Sequence, residues 1–481
     1  MLRSAALIAI TGFWITMMSL LIHRHYFQLT PIQAPYEILA FEYMDMREEY
    51  RAIYLGKERI GFSHFVLEPL KKPKKDAFEL RHSNYMSFLF LGQEREMLIK
   101  GRARLNEQMR LRAFQIKISS GGSWTRLSGK VSGKNMNLVI RSSLGFPMRK
   151  ILPMKSSAVY SEAMGFLWSP ENLRVGKKGR IEIWNPLAMD FQDVGFWIRE
   201  KQKIEFEDRE QDAYLVYMEL GGVETRTWIS PEGVILKEDS AAGLTLIKED
   251  AYKIFDGMRE KRSSPPDLPN LFSIPSNRTL ENPATLQYLK VKIQSPSGEK
   301  NLEIKAPLPG TLKDPALPVK DAELAPYLAS DAWIQADDPE IQKTAREIAG
   351  DEKTVLAASQ KLLDWVHTNI APVPSVGLPV SREVLQFRRG DCNEYTVLFT
   401  ALARALGIPT KMIAGLVYMN GRFFYHAWPE IYAGEWLAVD PTFGQAPADV
   451  THLPLIEGGL EEQTALAGQI GNIKAVIIEA R

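Results

Sequence analysis

The stretch Arg388-Arg389-Gly390-Asp391-Cys392-Asn393-Glu394-Tyr395 constrains this chain more than any other. Asp391 is a strong helix N-cap, and Glu394 stands three residues on, the spacing of a capping box with Asp in place of Ser or Thr. Behind it, apolar residues recur at Val397, Leu398, Ala401, Leu402, Ala405 and Leu406, a helical period. Gly407 and Pro409 close the helix. Cys392, the only cysteine in 481 residues, is thereby expected at the first helical position. Unpaired backbone N–H groups and the positive end of the helix dipole would adjoin its sulfur. Such a setting favours the thiolate and can bring a cysteine pKa to roughly 3.5–7.5. The same N–H groups can hold a developing oxyanion. A lone cysteine is, as a rule, a small buried hydrophobe; what separates Cys392 from that rule lies downstream.

Lys411 to Tyr418 is rich in strand formers, and Met419-Asn420-Gly421-Arg422 follows. Asn-Gly between apolar runs is a strong hairpin signal. A two-residue loop pairs Met419 with Arg422 and places Gly415 opposite His426, where a glycine leaves room beside the imidazole. The second strand runs from Phe423 to Ile431. A further turn at Tyr432-Ala433-Gly434 leads into Glu435 to Pro441. With Gly434 in the left-handed position, Ile431 pairs with Glu435 and His426 faces Asp440 directly. Cross-strand partners share a face with Cβ atoms about 4.5–5.5 Å apart, and a slip of one residue would separate them. Cys392 as nucleophile, His426 as general base and Asp440 as the group orienting the imidazole would supply the three parts of thiol acyl transfer. Taken singly, His426 also reads as a satisfied strand histidine and Asp440 as a turn former before Pro441.

Four blocks together resemble the core of the transglutaminase-like superfamily: Gly390-Asp391-Cys392-Asn393-Glu394-Tyr395, Ala403 to Thr410, His426-Ala427-Trp428, and Trp436-Leu437-Ala438-Val439-Asp440-Pro441-Thr442. The resemblance runs from about residue 325 to 455. It implies a papain-like α/β fold, the cysteine on a helix packed against a sheet carrying His and Asp, and acyl transfer from an amide through a thioester. It does not choose between water and an amine as acceptor; hydrolysis is favoured because nothing in the sequence identifies an amine site. Calcium serves the animal crosslinking enzymes of this family, but this chain has no EF-hand pattern, and no cofactor or metal is assigned. The Cys392 N–H would be one oxyanion donor, with Gln386 a candidate for the second on position alone.

The remainder of the chain divides by composition. Ala5 to Ile22 holds no charged residue and is flanked by Arg3 and Arg24, the lower limit for a membrane span. Residues 1–30 are therefore expected to be an uncleaved N-terminal anchor, with a cleaved signal as the second reading. The bulk would then lie outside the cytoplasm, on the periplasmic or extracellular side. Residues 45–260 read as an antiparallel β-rich domain, a large curved sheet or half-barrel. Its strand signals include Tyr50 to Leu55, Ala113 to Ile118, Val194 to Lys203 and Gln211 to Met218, with a short helix around Ser156 to Leu167. Lys71-Lys72-Pro73-Lys74-Lys75 is a basic run that reads as a solvated loop or as a contact for anionic lipid or polymer. Residues 261–320 are a Pro-rich linker with two short strands, Leu286 to Ile293 and Asn301 to Lys305. Residues 321–481 form the catalytic domain, with helices over Pro339 to Ala349 and Lys353 to Ile370 and a terminal edge strand around Ala475 to Glu479.

The expected class is thus an α+β multidomain protein: an N-terminal membrane helix, a β-rich domain and a C-terminal papain-like, transglutaminase-like domain. A net charge of +1 gives no bulk electrostatic case for nucleic acid. The expected partners are a peptide or protein substrate and, through the N-terminal helix, the membrane. The rival reading is a non-catalytic envelope protein that uses the same fold for binding or scaffolding.

Overall fold

The computed structural model describes residues 46–481 apart from 71–75, 91–92, 143–146, 155–157, 187–188, 221–222, 241–242, 260–265, 296–297, 308–309, 311, 374–378 and 460–471. The anchor expected at residues 1–30 and the run Lys71 to Lys75 lie outside the described residues. Among the described residues no helix is long and apolar enough to cross a membrane.

Residues 47–248 build one 15-stranded sheet. Its strands are β1 (Arg47–Leu55), β2 (Glu58–Pro69), β3 (Phe78–Phe90), β4 (Gln93–Leu105), β5 (Leu111–Ser120), β6 (Ser123–Ser132), β7 (Asn135–Ser142), β8 (Met148–Pro153), β9 (Val159–Tyr160), β10 (Lys178–Asn185), β11 (Asp190–Phe206), β12 (Arg209–Leu220), β13 (Val223–Ile229), β14 (Ile235–Asp239) and β15 (Leu244–Lys248). The order runs β8 back to β1, then β15 back to β9, so the first and last strands meet in the middle. Every neighbour is antiparallel except β9 against β10. Alternation drives this: in β4, Ile99, Ala103 and Leu105 are buried while Lys100, Arg102 and Arg104 are exposed. The inner face curls until Phe114 of β5 lies 5.8 Å from Trp184 of β10. The helix expected near Ser156 to Leu167 is a single 3₁₀ segment, Ser161–Phe166, plugging that interior with Ala163 and Phe166.

After α1 (Ala251–Arg259) and α2 (Leu268–Phe272), the short strand β16 (Ile274–Pro275) precedes β17 (Tyr288–Ser295) and β18 (Gly298–Lys305). The C-terminal half carries α3 (Pro339–Ala349), α4 (Val355–Asn369), β19 (Ala371–Pro372), α5 (Ser381–Phe387), β20 (Arg389–Gly390), α6 (Cys392–Ala405), β21 (Thr410–Met419), β22 (Arg422–Tyr432), β23 (Trp436–Ala438), β24 (Leu453–Glu457) and β25 (Lys474–Ala480). Asp338 caps α3 through the N–H groups of Glu340 and Ile341, with Pro339 at its first position. Strands β16, β22, β21 and β24 form a sheet in that order, with β23 on β22. The terminal strand β25 does reach an edge, pairing with β17 so that β18-β17-β25 form a second small sheet. Apolar residues of β17 and β25 share a core with Leu416 and Tyr418 of β21 and Phe423 of β22. Another continuous apolar core joins the large sheet's interior to α3, α4 and α6.

Candidate active site

Helix α6 begins at Cys392 with Asp391 as N-cap, and both halves of the capping box form. The Asp391 side chain accepts from the Asn393 N–H at 3.0 Å, and Glu394 accepts from the Asp391 N–H at 2.9 Å. Gly390 makes this possible, because a Cβ there would stand 2.2 Å from the Glu394 Cβ. The helix start is fixed by the parallel bridge of β19 with β20 and by the Tyr395 hydroxyl on the Ile370 carbonyl. Thr396 Oγ1 donates to the Ala427 carbonyl at 3.0 Å, clamping α6 to β22 one residue beyond His426. The Ala427 N–H in turn donates to the half-buried Cys392 sulfur.

The β21–β22 hairpin has the expected register, with Met419 on Arg422 and Gly415 on His426. The space at Gly415 takes both a backbone and a side chain, the latter stacked on the His426 ring. A Cβ there would meet the Leu453 carbonyl oxygen at 2.1 Å and the Trp428 ring at 2.7 Å, so the glycine admits β24 and an indole. The second turn corrects the sequence reading. Its loop is Ala433-Gly434-Glu435, one residue later than expected, so Ile431 pairs with Leu437 and Tyr432 with Trp436. His426 and Asp440 are therefore not direct partners. Because the pairing shifts by two residues, both side chains keep the same face, and His426 Nε2 lies 2.7 Å from Asp440 Oδ2.

Asp440 lies just beyond β23, in a tight loop closed by reciprocal backbone bonds with Gln445 at 2.7 and 2.9 Å. That loop aims the N–H groups of Thr442 and Phe443 at Oδ1, at 2.7 and 3.2 Å. Asp440 is thus a turn former through Oδ1 and a histidine partner through Oδ2. Oδ2 also faces His452 Nε2 at 2.9 Å. The sequence reading missed His452, which precedes β24 in an irregular stretch with no periodic signal. Its Nδ1 lies 3.0 Å from the Asp449 carbonyl and 3.5 Å from Asp449 Oδ1. Both nitrogens of His452 face acceptors only, so both carry protons and the ring is an imidazolium. Burial pulls His452 down, but the bonds to Asp440 and Asp449 outweigh it and carry the ring up to about 9. Burial likewise works against ionised Asp440, yet His426 and His452 hold its carboxyl well below the usual range.

Asp440 accepts only, so His426 donates from Nε2, and Nδ1 is the nitrogen left to exchange a proton. Phe443 stacks on the His426 ring at 4.9 Å and 19°. The thiol departs from expectation. Burial pushes Cys392 up, followed by the carboxylate of Asp391; the Ala427 N–H offsets part, and Glu394 and Asp440 add to the rise. The helix terminus does not prevail against burial, to which the anionic cap adds. The resting cysteine is therefore held as a neutral thiol. Gln386 is exposed on α5, and none of its described contacts brings it to Cys392. Among the described residues, His426, Asp440 and His452 have donor atoms within 4.8 Å of one another, the spacing a cation would need. Both Nε2 atoms sit at hydrogen-bond distance from one oxygen, so a cation there would have to displace both protons.

A cysteine thus stands at a helix start clamped to a sheet that presents a hydrogen-bonded histidine–aspartate pair. Residues 342–441 match the family model of the transglutaminase-like superfamily, and the C-terminal part of the chain carries a transglutaminase-like domain. Over 95 residues the chain is 38% identical to a protein-glutamine gamma-glutamyltransferase of Pseudomonas aeruginosa, a stretch covering 17% of this chain and 13% of that protein. The chain thus matches only a small part of that relative's length. A candidate cysteine protease from Cytophaga hutchinsonii is similar at 21% identity and a TM-score of 0.30, over 38% of this chain and 63% of that one. A β-barrel-like protein of unknown function from Brucella abortus is similar at 10% identity and a TM-score of 0.30, over 42% and 94% of the two chains.

Proposed function

We propose that this chain is a cysteine acyl-transfer enzyme acting on amide bonds of peptides or proteins, with Cys392, His426 and Asp440 as its catalytic residues. The observation that carries this reading is the saturated Asp440 carboxylate, whose grip on Nε2 leaves Nδ1 as the His426 nitrogen to exchange a proton, on a strand clamped to α6 through the neighbouring Ala427. His426 Nδ1 takes the Cys392 proton as the sulfur attacks the carboxamide carbon. The Cys392 backbone N–H receives the oxyanion. The C–N bond then breaks, His426 returns the proton to the leaving amine, and a thioester remains. Water, or an amine such as a lysine side chain, attacks the thioester and gives its proton to His426; the C–S bond then breaks, the acyl product leaves, and His426 returns the proton to the Cys392 sulfur, with hydrolysis the preferred outcome. A resting neutral thiol suits this sequence, since proton transfer and attack are then coupled.

Mass spectrometry after incubation with glutamine-bearing peptides should show an acyl adduct on Cys392, with amine release. The Cys392→Ala protein should fold, form no adduct and release no amine; turnover by that variant would refute the mechanism. The uncharged stretch Ala5 to Ile22 between Arg3 and Arg24 supports a membrane anchor with the bulk outside the cytoplasm. Protease accessibility in intact cells checks this, and protection of the catalytic domain would sink it.

A further inference from the structure

The outer face of β3 to β7 carries a row of like charges that runs across four neighbouring strands. Like charges directly opposite each other across antiparallel strands are unfavourable. Register places Lys100 against Lys117, Lys117 against Arg126, and Arg126 against Arg141, so four adjacent strands carry one row of cations. One step along, Arg81 faces Arg102. On β11 and β12 of the same sheet the cations are matched: Lys201 to Asp212 at 2.7 Å and Lys203 to Glu210 at 2.8 Å. Among the described residues, no ion pair engages Lys100, Lys117, Arg126 or Arg141.

This face is also hollow. A cavity of about 720 Å³ opens over it, lined by Arg81, Lys100, Arg102, Lys117 and Arg126, with Glu48 as the one carboxylate. Glu48 is engaged by His64 at 2.7 Å. Arg81 is partnered by Glu68 at 3.0 Å and Arg102 by Glu79 at 3.4 Å, which leaves the other three cations for an occupant. Two of them are held in place, since Lys117 and Arg126 lie over the Trp124 ring at 5.3 and 5.2 Å. Strand spacing sets the cations about 4.8 Å apart across the sheet. Guanidinium forks suit phosphate and carboxylate oxygens, and ammonium groups add point charge.

We propose that the hollow on the outer face of β3 to β7 binds a multivalent oxyanion, carrying several phosphate or carboxylate groups, either free or as the headgroups of an anionic lipid. The ligand supplies the negative charge that the sheet omits. The site is independent of the thiol chemistry, so Cys392→Ala should bind as the parent does.

The full-length chain in neutral detergent is titrated with sodium tripolyphosphate by calorimetry; after exchange into a non-ionic amphipol, which keeps the expected anchor covered, its flotation with preformed phosphatidylglycerol or phosphatidylcholine vesicles is measured. Parent protein is compared with the triple variant Lys100→Gln, Lys117→Gln, Arg126→Gln and with the control Lys201→Gln, Lys203→Gln. The triple variant should weaken tripolyphosphate binding by about tenfold or more and flatten its salt dependence, while the control changes it by less than about twofold. The triple variant relieves repulsion between exposed side chains, so its melting temperature should hold. Binding to tripolyphosphate identifies a free anion as sufficient. Flotation with phosphatidylglycerol alone, lost in the triple variant, identifies the headgroup instead. No binding to either probe, or equal binding by parent and triple variant, overturns the proposal.

Discussion

Charge is handled in opposite ways at the Asp440 carboxylate and on the outer face of β3 to β7. Asp440 is fully buried, and its two oxygens accept four hydrogen bonds, two from backbone and two from histidines. The row Lys100, Lys117, Arg126, Arg141 places like charges side by side. The difference follows from the surroundings. An unpaired charge in the interior costs several kcal/mol, so the fold leaves neither oxygen of Asp440 unmatched. Water screens the exposed row, so repulsion there is small enough for the sheet to carry. One region is complete within the chain; the other is unbalanced until something joins it.

The largest effect should come from emptying the complete region. Asp440→Ala strands the His452 imidazolium and two N–H groups, and should cost about 3–5 kcal/mol in urea unfolding. Asp440→Asn keeps the shape but allows the wrong tautomer of His426, so peptide turnover should fall on the order of 10³- to 10⁴-fold. A drop of less than tenfold would mean that another group orients the ring. His452→Phe removes one of the four bonds and should cost about 1–3 kcal/mol.

That variant also tests the pH dependence. His452 is raised to about 9 in the folded protein, so its contribution is complete below its unfolded value near 6.5 and is lost as pH climbs through about 9. Asp440 is lowered, so its contribution holds above about 4 and is lost as pH falls further. These are one interaction viewed from its two partners, with a window of about pH 4 to 9. Parent stability should therefore decline between about pH 6.5 and 9, and His452→Phe should lack that decline. An unchanged slope in the variant would show that His452 is not the titrating group.

The smallest effect has the opposite sign. Lys117→Glu places an anion between Lys100 and Arg126 and should stabilise the ligand-free protein by about 0.2–1 kcal/mol. The gain should shrink as salt is raised. Loss of stability at low salt would mean that the row is not frustrated and would erase the contrast.

How much of this was legible in the sequence follows from how local each signal is. The capping box at Asp391 and Glu394 and the Asn420-Gly421 hairpin are written within a few residues, and both formed in the expected register. The next turn was misplaced by one residue, because Tyr432-Ala433-Gly434 and Ala433-Gly434-Glu435 both offer a loop around Gly434; period-two geometry kept His426 and Asp440 on one face regardless. His452 was invisible, since nothing between Asp440 and β24 repeats and only the folded loop brings its ring to Oδ2. The thiol was misjudged because a sequence shows a helix terminus but not the burial of its sulfur. A large curved sheet was expected, but not the cation row, which exists only through the register of four strands.

The small sheet β18-β17-β25 has a consequence in time. Strand β17 ends at Ser295 and its partner β25 begins at Lys474, so 178 residues of chain separate them. At about 5–20 residues per second, a ribosome needs roughly 9–36 s to cover that interval. Throughout it, one edge of β17 waits with unpaired backbone groups, beside apolar Leu289, Val291 and Ile293 that β25 will help to cover. Cys392, His426 and Asp440 are all synthesised before that edge can close. A nascent chain therefore holds Cys392, His426 and Asp440 before the sheet beside them is finished, and β25, emerging after all three, completes that sheet.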